Sequence, residues 1–340
     1  MTSGGLSWLG IARLGLVQMA LGAIVVLTTS TLNRVMVVEL ALPAILPGAL
    51  VGFHYAVQIL RPRLGYGSDV GGRRTPWIVG GMVVLALGGI GAALATAWMT
   101  ETTIGGTLAA VGAFFLIGLG VGASGTALLT MLATMTAPAR RPAAATIVWF
   151  MMIGGMVVTA TVAGNLLDPF SPTRLVVVTS AVSVSAVVLA ILATFKVERE
   201  AEASASEAKA PRPDFKQALF EVWGETAARR FTVFVFVSML AYSAQDLILE
   251  PFAGIVFGMT PGESTKLAGV QHGGVLMGML LVAITGSVFK LGSMRTWVIG
   301  GCIASAMALA GLASSCFFGP GFPIRPMVFL LGLANGAFAV

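Results

Sequence analysis

The sequence predicts an all-α, polytopic membrane protein, because apolar runs long enough to cross a bilayer follow one another along the chain. Of its 340 residues, 57% are hydrophobic and 10% are charged, whereas about 25% of residues are charged in soluble domains. Glycine contributes 43 residues, and small residues let helices pack closely in lipid. These observations exclude a soluble domain. The two cysteines, Cys302 and Cys316, indicate neither a disulfide framework nor a zinc site.

Ten apolar runs are predicted to cross the membrane, since a spanning helix needs about 20 residues. The segments that separate these runs are polar, charged or contain proline. In chain order they are LNR, RPRLGYGSDVGGRR, TETT, APARRP, DPFSPTR, KVERE, TPGESTK, KLGSMR and GPGFPIRP. The tenth run reaches Val340 after about two thirds of a crossing, so we expect the chain to be a fragment of a longer protein. The predicted spans are 14–33, 41–60, 77–99, 107–134, 145–166, 174–195, 231–250, 266–289, 297–317 and 326 onward.

Basic residues predict the orientation of the spans, because cytoplasmic loops carry an excess of lysine and arginine. With a cytoplasmic N-terminus, sixteen of the twenty basic residues lie on the inner side. The four on the outer side are Arg34, Arg174, Lys266 and Arg325. The formal net charge of +6 therefore reflects membrane topology, and no nucleic acid is needed to explain it.

The longest polar segment, KVEREAEASASEAKAPRPDFK from Lys196, separates six spans from the rest, and its composition is typical of a disordered linker. We expect an N-terminal six-helix half over 1–195, a cytoplasmic linker over 196–230 and an incomplete C-terminal half over 231–340. Apolar residues at helical spacing near the end of the linker predict either a helix on the inner membrane surface or a solvated helix packed on the loops. They are Phe215, Leu219, Val222 and Trp223.

A weak internal repeat relates the two halves. GYGSDVGGRRTPWIVGG begins at Gly65 between the second and third spans, and GSVFKLGSMRTWVIGG begins at Gly286 between the eighth and ninth. Parallel repeats are common in transporters, so we expect two sets of six spans in the intact protein. The second copy has Phe289 where the first has Asp69, which predicts that this acidic residue serves only one half.

The first copy resembles the G-x-x-x-D-x-x-G-R-R motif of the major facilitator superfamily, at that family's position between the second and third spans. The resemblance implies the major facilitator fold, with two six-helix halves, and a cytoplasmic latch that holds the halves in one state. Locally, glycine permits a tight turn, and an aspartate caps the following helix or pairs with a cation. A simple inner anchor is the alternative. The latch residues are Gly65, Asp69, Gly72, Arg73 and Arg74.

Three segments resemble one branch of that superfamily, the PucC/LhaA family of bacteriochlorophyll delivery proteins. They are STLNRVMVVELALPA in span 1, YGSDVGGRRTPWI after span 2 and YSAQDLILEPFAG in span 7. The resemblance covers essentially the whole chain and implies a photosynthetic bacterium, with the protein in its inner or intracytoplasmic membrane. It also implies that the protein assembles light-harvesting complexes, by delivering bacteriochlorophyll to antenna polypeptides or by chaperoning them. The implied partners are the pigment, antenna polypeptides or the reaction-centre core complex, and lipid.

Ionisable residues inside spans are functional candidates, because each costs about 3 kcal/mol on insertion scales unless it is paired or hydrated. Such residues lie near the outer ends of spans 1 and 7, which are neighbours in the facilitator fold. An ion pair of Arg34 with Asp246 or Glu250 would form a periplasmic clasp between the halves. The alternative is a set of interfacial side chains that extend to water. The candidates are Asn33, Arg34, Glu39, Gln245, Asp246 and Glu250.

Two histidines, His54 in span 2 and His272 in span 8, are approximate repeat partners. A neutral imidazole can ligate a metal with an open axial position, and the magnesium of bacteriochlorophyll is such a metal. We therefore expect His54 or His272 to bind the pigment. Bacteriochlorophyll, as bound cargo, is the only cofactor expected. The alternative is a histidine satisfied by a neighbouring helix. No metal site of the protein's own is expected.

An enzyme is not expected, because the sequence contains no phosphate-binding loop, metal-ligand spacing or pair of nucleophile and base. Three functions remain open. The first is a membrane assembly factor for light-harvesting complexes, and the second is a secondary transporter that moves a small solute by alternating access. The third is an inert structural subunit of the photosynthetic complex, with the same partners but no need for a latch or clasp. Spans 2 to 6 contain no acidic residue, which favours the assembly factor.

Overall fold

The computed structural model describes residues 5–70, 73–198, 220, 223–287 and 293–338, and within these ranges the chain is helical without strands. The helices that matter for the site are numbered here in chain order. They are α1 (Trp8–Glu39), α2 (Ile45–Val57), α3 (Arg61–Val70), α4 (Thr75–Trp98), α5 (Thr103–Met135), α6 (Arg141–Leu166), α7 (Pro172–Thr194), α8 (Thr226–Phe257), α9 (Pro261–Ser287), α10 (Met294–Phe318) and α11 (Ile324–Phe338).

The helix α1 changes its winding along its length. It is α-helical over Trp8–Val26 and then contains two π-helical segments, Leu27–Thr31 and Val35–Glu39. In a π-helix each backbone hydrogen bond spans five residues instead of four, and such segments often occur at functional sites. Residues five positions apart therefore share a face in this part of α1.

The described helices form two bundles that pack side by side. The N-terminal bundle, α1–α7, encloses a large apolar core that includes Ile24 and Phe114. The C-terminal bundle, α8–α11, encloses a smaller core around Val328. A third apolar cluster joins Ile153 of α6 to Val275 of α9. The two bundles are therefore in direct apolar contact through α6 and α9.

Glycines bring neighbouring helices into backbone contact, as the high glycine content predicts. A Cβ atom on Gly332 of α11 would collide with the carbonyl oxygen of Gln271 on α9. In the N-terminal bundle, a Cβ atom on Gly88 of α4 would lie 2.7 Å from the backbone nitrogen of Ile117 on α5. A side chain at either glycine would force these helices apart.

Eight helices among the described residues are long and apolar enough to cross a membrane, which confirms the all-α, multi-pass prediction. The second predicted span contains a helix of 13 residues, α2, which tightens into a 3₁₀ turn at Gln58–Leu60 and continues as α3. The seventh extends beyond its predicted end at Glu250 to Phe257, because Glu250 is buried among helices rather than placed at the interface. Gly258, with φ of 63°, ends this helix in the left-handed conformation.

The predicted linker over 196–230 is described only in part, and its first residues pack on the N-terminal bundle. Val197 and Glu198 are buried, and the carboxylate of Glu198 accepts hydrogen bonds from the backbone nitrogens of Arg74 and Thr75, at 2.6 and 3.0 Å. These contacts cap the start of α4. The predicted surface helix stays a prediction, because Phe215, Leu219 and Val222 lie outside the described residues.

Candidate functional site

Arg34 lies where α1 meets the C-terminal bundle, and its side chain is buried there. The guanidinium group donates to Glu39 of α1 and to the backbone carbonyl oxygen of Met259, between α8 and α9, at 2.5 Å in each case. The adjacent Asn33 donates to the carbonyl oxygen of Leu247 on α8, at 2.6 Å. Two neighbouring side chains of α1 thus bind the backbone of the other bundle. The clasp is defined here as Asn33, Arg34, Glu39, Glu250 and Met259.

The predicted ion pair of Arg34 with Asp246 or Glu250 is not the pair seen in this structure, in which Arg34 pairs with Glu39. The π-helical segment Val35–Glu39 explains this choice, since it places Glu39, five residues along the chain, on the same face of α1 as Arg34. In a regular α-helix the facing residues are three or four positions apart. The bundles are joined here through backbone carbonyl oxygens instead of a second carboxylate.

Glu250 of α8 is completely buried at the same interface, at 0% exposed. Its Oε2 accepts from the hydroxyls of Ser264 at 3.1 Å and Thr265 at 3.4 Å, both on α9. The hydroxyl oxygens of Thr265 and Thr31 of α1 are 3.1 Å apart. The Oε1 of Glu250 and the Nε of Arg34 have no hydrogen-bond partner among the described residues. The clasp therefore contains one unsatisfied acceptor and one unsatisfied donor.

A second polar contact between the bundles centres on Asp168, which follows α6 and is absent from the sequence-based candidates. Its carboxylate accepts from Thr260 Oγ1 at 2.9 Å and from the backbone nitrogen of Gly262 at 3.2 Å. Thr260 and Glu263 form a reciprocal capping box at the start of α9. Asp168 thus caps a helix of the other bundle. The string TPGE is a sequence signal for the capping box, but no sequence signal indicates that Asp168 reaches it.

The other predicted residues of α8 hydrogen-bond within the C-terminal bundle. Asp246 accepts from Gln271 of α9 at 3.2 Å. Gln245 accepts from Asn335 of α11 at 2.8 Å, and the side-chain oxygen of Asn335 accepts from Ser305 of α10 at 2.8 Å. These bonds link all four helices of the bundle. Gln271, Ser305 and Asn335 are absent from the sequence-based candidates, because the polar groups chosen for the clasp lie only near the outer ends of spans 1 and 7.

The latch residue Arg74 fastens the opposite end of the N-terminal bundle. It donates to Oδ1 of Asp69 at 2.7 and 3.2 Å, and to the hydroxyl of Thr134 on α5 at 2.7 Å. Together with Glu198, these contacts join α3, α4, α5 and the segment after α7. All of these partners of Arg74 lie in one bundle, so the latching of two halves stays a prediction.

The other latch residues are less informative. Gly65 packs against α5, since a Cβ atom on it would lie 2.9 Å from Thr126 Cγ2. Arg73 is exposed, and Gly72 lies outside the described residues. Phe289, where the repeat replaces Asp69, also lies outside them.

Both histidines are buried, His54 at 1% and His272 at 5% exposed. The Nδ1 of His54 lies 2.7 Å from the carbonyl oxygen of Val51, and its ring centroid lies 4.1 Å from that of Tyr55. The Nδ1 of His272 has no hydrogen-bond partner in the described part of the chain. Ligation of a pigment by either side chain therefore requires its helix to separate from its neighbours.

One cavity lies beside the clasp, and another lies within the C-terminal bundle. The mouth cavity, of about 680 Å³, opens beside the clasp and is lined by charged side chains of both signs, including Arg34, Glu39, Asp168, Glu263 and Lys266. The other, of about 700 Å³, lies between α9, α10 and α11, and its lining is apolar apart from Thr296 and the indole nitrogen of Trp297. The described residues contain no group of three His, Cys, Asp or Glu side chains that could hold a metal ion.

Comparison with known sequences identifies relatives along nearly the whole chain. Residues 31–340 match the family model described as PUCC protein. The chain is similar to the bacteriochlorophyll synthase 44.5 kDa chain of Rhodobacter capsulatus, with 52% identity over 98% of this chain and 78% of that one. It is also similar to Protein PucC of Rhodobacter capsulatus, with 32% identity over 78% of this chain. The matched region spans 60% of that PucC protein.

Comparison with solved structures supports the predicted fold. The crystal structure of the D-xylose-proton symporter aligns with a TM-score of 0.66 and 18% identity, over 96% of this chain and 79% of that one. A bacterial homolog of the human lysosomal transporter Spinster, in an inward-facing and occupied conformation, aligns with a TM-score of 0.63 and 16% identity, over 98% of this chain and 72% of that one. The chain therefore has the major facilitator fold.

Proposed function

This chain belongs to the PUCC protein family, and from that premise we propose that it assists the assembly of photosynthetic light-harvesting complexes. It does so by delivering or chaperoning bacteriochlorophyll, antenna polypeptides or both. The observation that carries the proposal is the similarity, at 52% identity, to a Rhodobacter capsulatus protein named as a bacteriochlorophyll synthase chain. The proposed partners are antenna polypeptides or the reaction-centre core complex.

An apolar binding region supports a lipophilic cargo. The cavity between α9, α10 and α11 has a volume of about 700 Å³ and an almost wholly apolar lining. Small-molecule sites have volumes of about 300 to 1,000 Å³ and are mostly apolar, with a few polar groups that fix orientation. A pigment with a hydrocarbon tail matches this chemistry better than a sugar or an ion does.

His54 and His272 offer different ring nitrogens as proposed magnesium ligands. The Nδ1 of His54 lies against the carbonyl oxygen of Val51, and a hydrogen bond there places the proton on Nδ1 and leaves the lone pair of Nε2 for a metal. The Nδ1 of His272 is buried without a partner among the described residues, and a buried polar atom without a partner is costly. Either helix must separate from its neighbours before its histidine can bind pigment.

Gentle purification tests the proposal directly. We expect the intact chain, purified in mild detergent from membranes of a photosynthetic bacterium, to carry bacteriochlorophyll absorption and to bring antenna polypeptides with it. We expect the double variant with His54→Phe and His272→Phe to lower the pigment yield, and the two single variants to identify which histidine contributes. Purified protein with neither pigment nor antenna polypeptide would overturn the proposal. A pigment yield unchanged in the double variant would remove both histidines as ligands.

The same preparation separates the proposal from its alternatives. Uptake of a small polar solute into vesicles, without pigment or antenna polypeptides, would favour a secondary transporter. The 52% identical relative is named a synthase chain, so the preparation is also supplied with precursors of bacteriochlorophyll. We expect no conversion of these precursors, and formation of a new pigment would contradict a role without catalysis.

We further propose that the N-terminus lies in the cytoplasm. A cysteine in place of Glu101, between α4 and α5, is then expected to react with an impermeant thiol reagent added outside intact cells. A cysteine in place of Glu225, before α8, serves as the matched control, because both side chains are exposed and the two lie on opposite sides. The opposite labelling pattern would reverse the orientation.

A further inference from the structure

The clasp contains more acidic than basic side chains. Arg34 forms its ion pair with Glu39, so the carboxyl group of Glu250 has no cation of its own. Glu250 is 0% exposed and lies within a membrane-spanning helix. A buried carboxylate without a counter-ion is so unfavourable that such a group takes up a proton instead.

The hydrogen bonds of Glu250 leave a position for that proton. Its Oε2 accepts from the hydroxyls of Ser264 and Thr265. Its Oε1 is buried without a partner. A neutral carboxyl group carries its hydrogen on one oxygen while the other accepts, which fits this unequal arrangement.

Arg34 provides a second, independent observation. Its side chain is 2% exposed, and its Nε also lacks a partner. This nitrogen lies beside Gly254, four residues after Glu250 on α8, because a Cβ atom on Gly254 would lie 3.3 Å from it. The unsatisfied donor therefore faces the same side of α8 as the unsatisfied acceptor.

We propose that Glu250 is a proton-binding site that controls the clasp. With the proton bound, Arg34 stays on Glu39 and on the carbonyl oxygen of Met259, and the two bundles are held together. When the O–H bond breaks, the electron pair stays on the carboxylate and the proton passes to water in the mouth cavity. The new negative charge then draws Arg34 towards Glu250 and away from Met259, which loosens the clasp and admits water.

Other charged groups near Glu250 also affect how readily it releases its proton. Most of them line the mouth cavity, and Asp246 precedes Glu250 by one turn of α8. These groups are Arg34 and Glu39 from α1, Asp246 from α8, Glu263 and Lys266 from α9, and Asp168 from the segment after α6.

The proposal goes beyond a role in assembly. It holds for any cargo, because it concerns only the contact between the bundles.

Thiol labelling in the mouth cavity tests the proposal. Cys302 and Cys316 are first replaced by serine, and Val38, which lines the cavity, is replaced by cysteine as the reporter. Its rate of reaction with an impermeant reagent is divided by that of a chain labelled at Glu101→Cys, which corrects for the ionisation of an exposed thiol. The same reporter in the carboxamide variants described below corrects for the surroundings of the thiol at position 38. We expect the ratio to rise at least about tenfold from about pH 6 to about pH 9, because each pH unit changes the proton equilibrium by up to about tenfold.

Two carboxamide variants identify the carboxyl group that causes the rise of the labelling ratio with pH. Glu250→Gln is expected to keep the low ratio at every pH, because an amide stays neutral. Glu263→Gln, at another carboxyl group beside the same cavity, is expected to keep the rise. A flat ratio in the parent or a rise that persists in Glu250→Gln would overturn the proposal.

Infrared difference spectroscopy covers the case in which Glu250→Gln fails to fold. The unmodified chain is compared at low and high pH, and a carboxylic acid C=O band is expected to disappear as pH rises. Glu250→Asp is expected to move that band and retain the pH dependence. If no such band changes with pH, Glu250 does not exchange a proton and the proposal fails.

Discussion

Gly164 of α6 allows a direct test of the contact between the two bundles. A Cβ atom on Gly164 would lie 2.7 Å from the carbonyl oxygen of Gly262, in the first turn of α9. Ordinary contacts begin at 3.4 Å, so the alanine variant requires α9 to move by 3.4 − 2.7 = 0.7 Å at this point. The same movement lengthens the hydrogen bond from Gly262 to Asp168.

The size of the effect follows from the cost of overpacking, about 1 to 3 kcal/mol for an added methyl-sized group. Because the added methyl group clashes with α9 only while the bundles are in contact, Gly164→Ala shifts the equilibrium towards separated bundles by about 5-fold to 150-fold. We expect the labelling rate of a cysteine at Val38 to rise by that factor. The rate measures the open population as long as that population is small.

Gly154→Ala is the matched control, because Gly154 lies on the same helix and a Cβ atom on it would have no neighbour within 4 Å. Both substitutions raise helix propensity by a similar amount, so only the contact with α9 differs between them. We expect Gly154→Ala to label at the parent rate. Equal labelling rates for the two alanine variants would refute the conclusion that the two bundles are in close contact where Gly164 of α6 meets α9.

Three further predictions concern stability, each measured as thermal unfolding of the purified chain in detergent. Gly332→Ala is expected to destabilise the C-terminal bundle by about 1 to 3 kcal/mol. Gly300→Ala is the control, because a Cβ atom there has no neighbour within 4 Å, and we expect it to change stability by no more than about 0.5 kcal/mol. Equal losses of stability in the two variants would contradict the close helix contact at Gly332. Thr260→Val removes the helix cap and a donor to the other bundle, so we expect a loss of about 1 to 2 kcal/mol, and an unchanged midpoint would count against the capping contact. Asp69→Asn is expected to cost at most about 1 kcal/mol, because its pair with Arg74 is partly exposed, with side-chain exposures of 32% and 15%; a much larger loss would indicate a further role for the latch aspartate.

The membrane class and the fold follow from the sequence because lipid restricts the possible structures. A bilayer satisfies no backbone hydrogen bond, so long apolar runs become helices, and the eight long helices agree with that prediction. Boundaries were predicted less well where a polar residue lies inside a helix. Glu250 resembles the end of a span in the sequence, yet α8 continues to Phe257 because the carboxyl group is buried by α9.

The clasp shows which part of the site a sequence search can identify. Asn33, Arg34 and Glu250 were candidates because charged and amide groups in a span need partners. Asp168 was missed because it lies in a polar loop, where an aspartate is ordinary. Its role depends on the start of α9, which is 94 residues further along the chain, and no local pattern encodes that distance.

The sequence by itself determined that this chain is helical and multi-pass, that its few charges within spans need partners, and that its motifs are those of one family. Only the tertiary structure decided which groups these charged side chains contact. The π-helical turn of α1 brings Glu39 onto the face of Arg34, and the packing of α8 against α9 leaves Glu250 with hydroxyl donors alone. Hydrophobic periodicity fixes which residues lie in the membrane, but the rotation of each helix about its axis depends on close packing with its neighbours, and that rotation decides which polar groups meet.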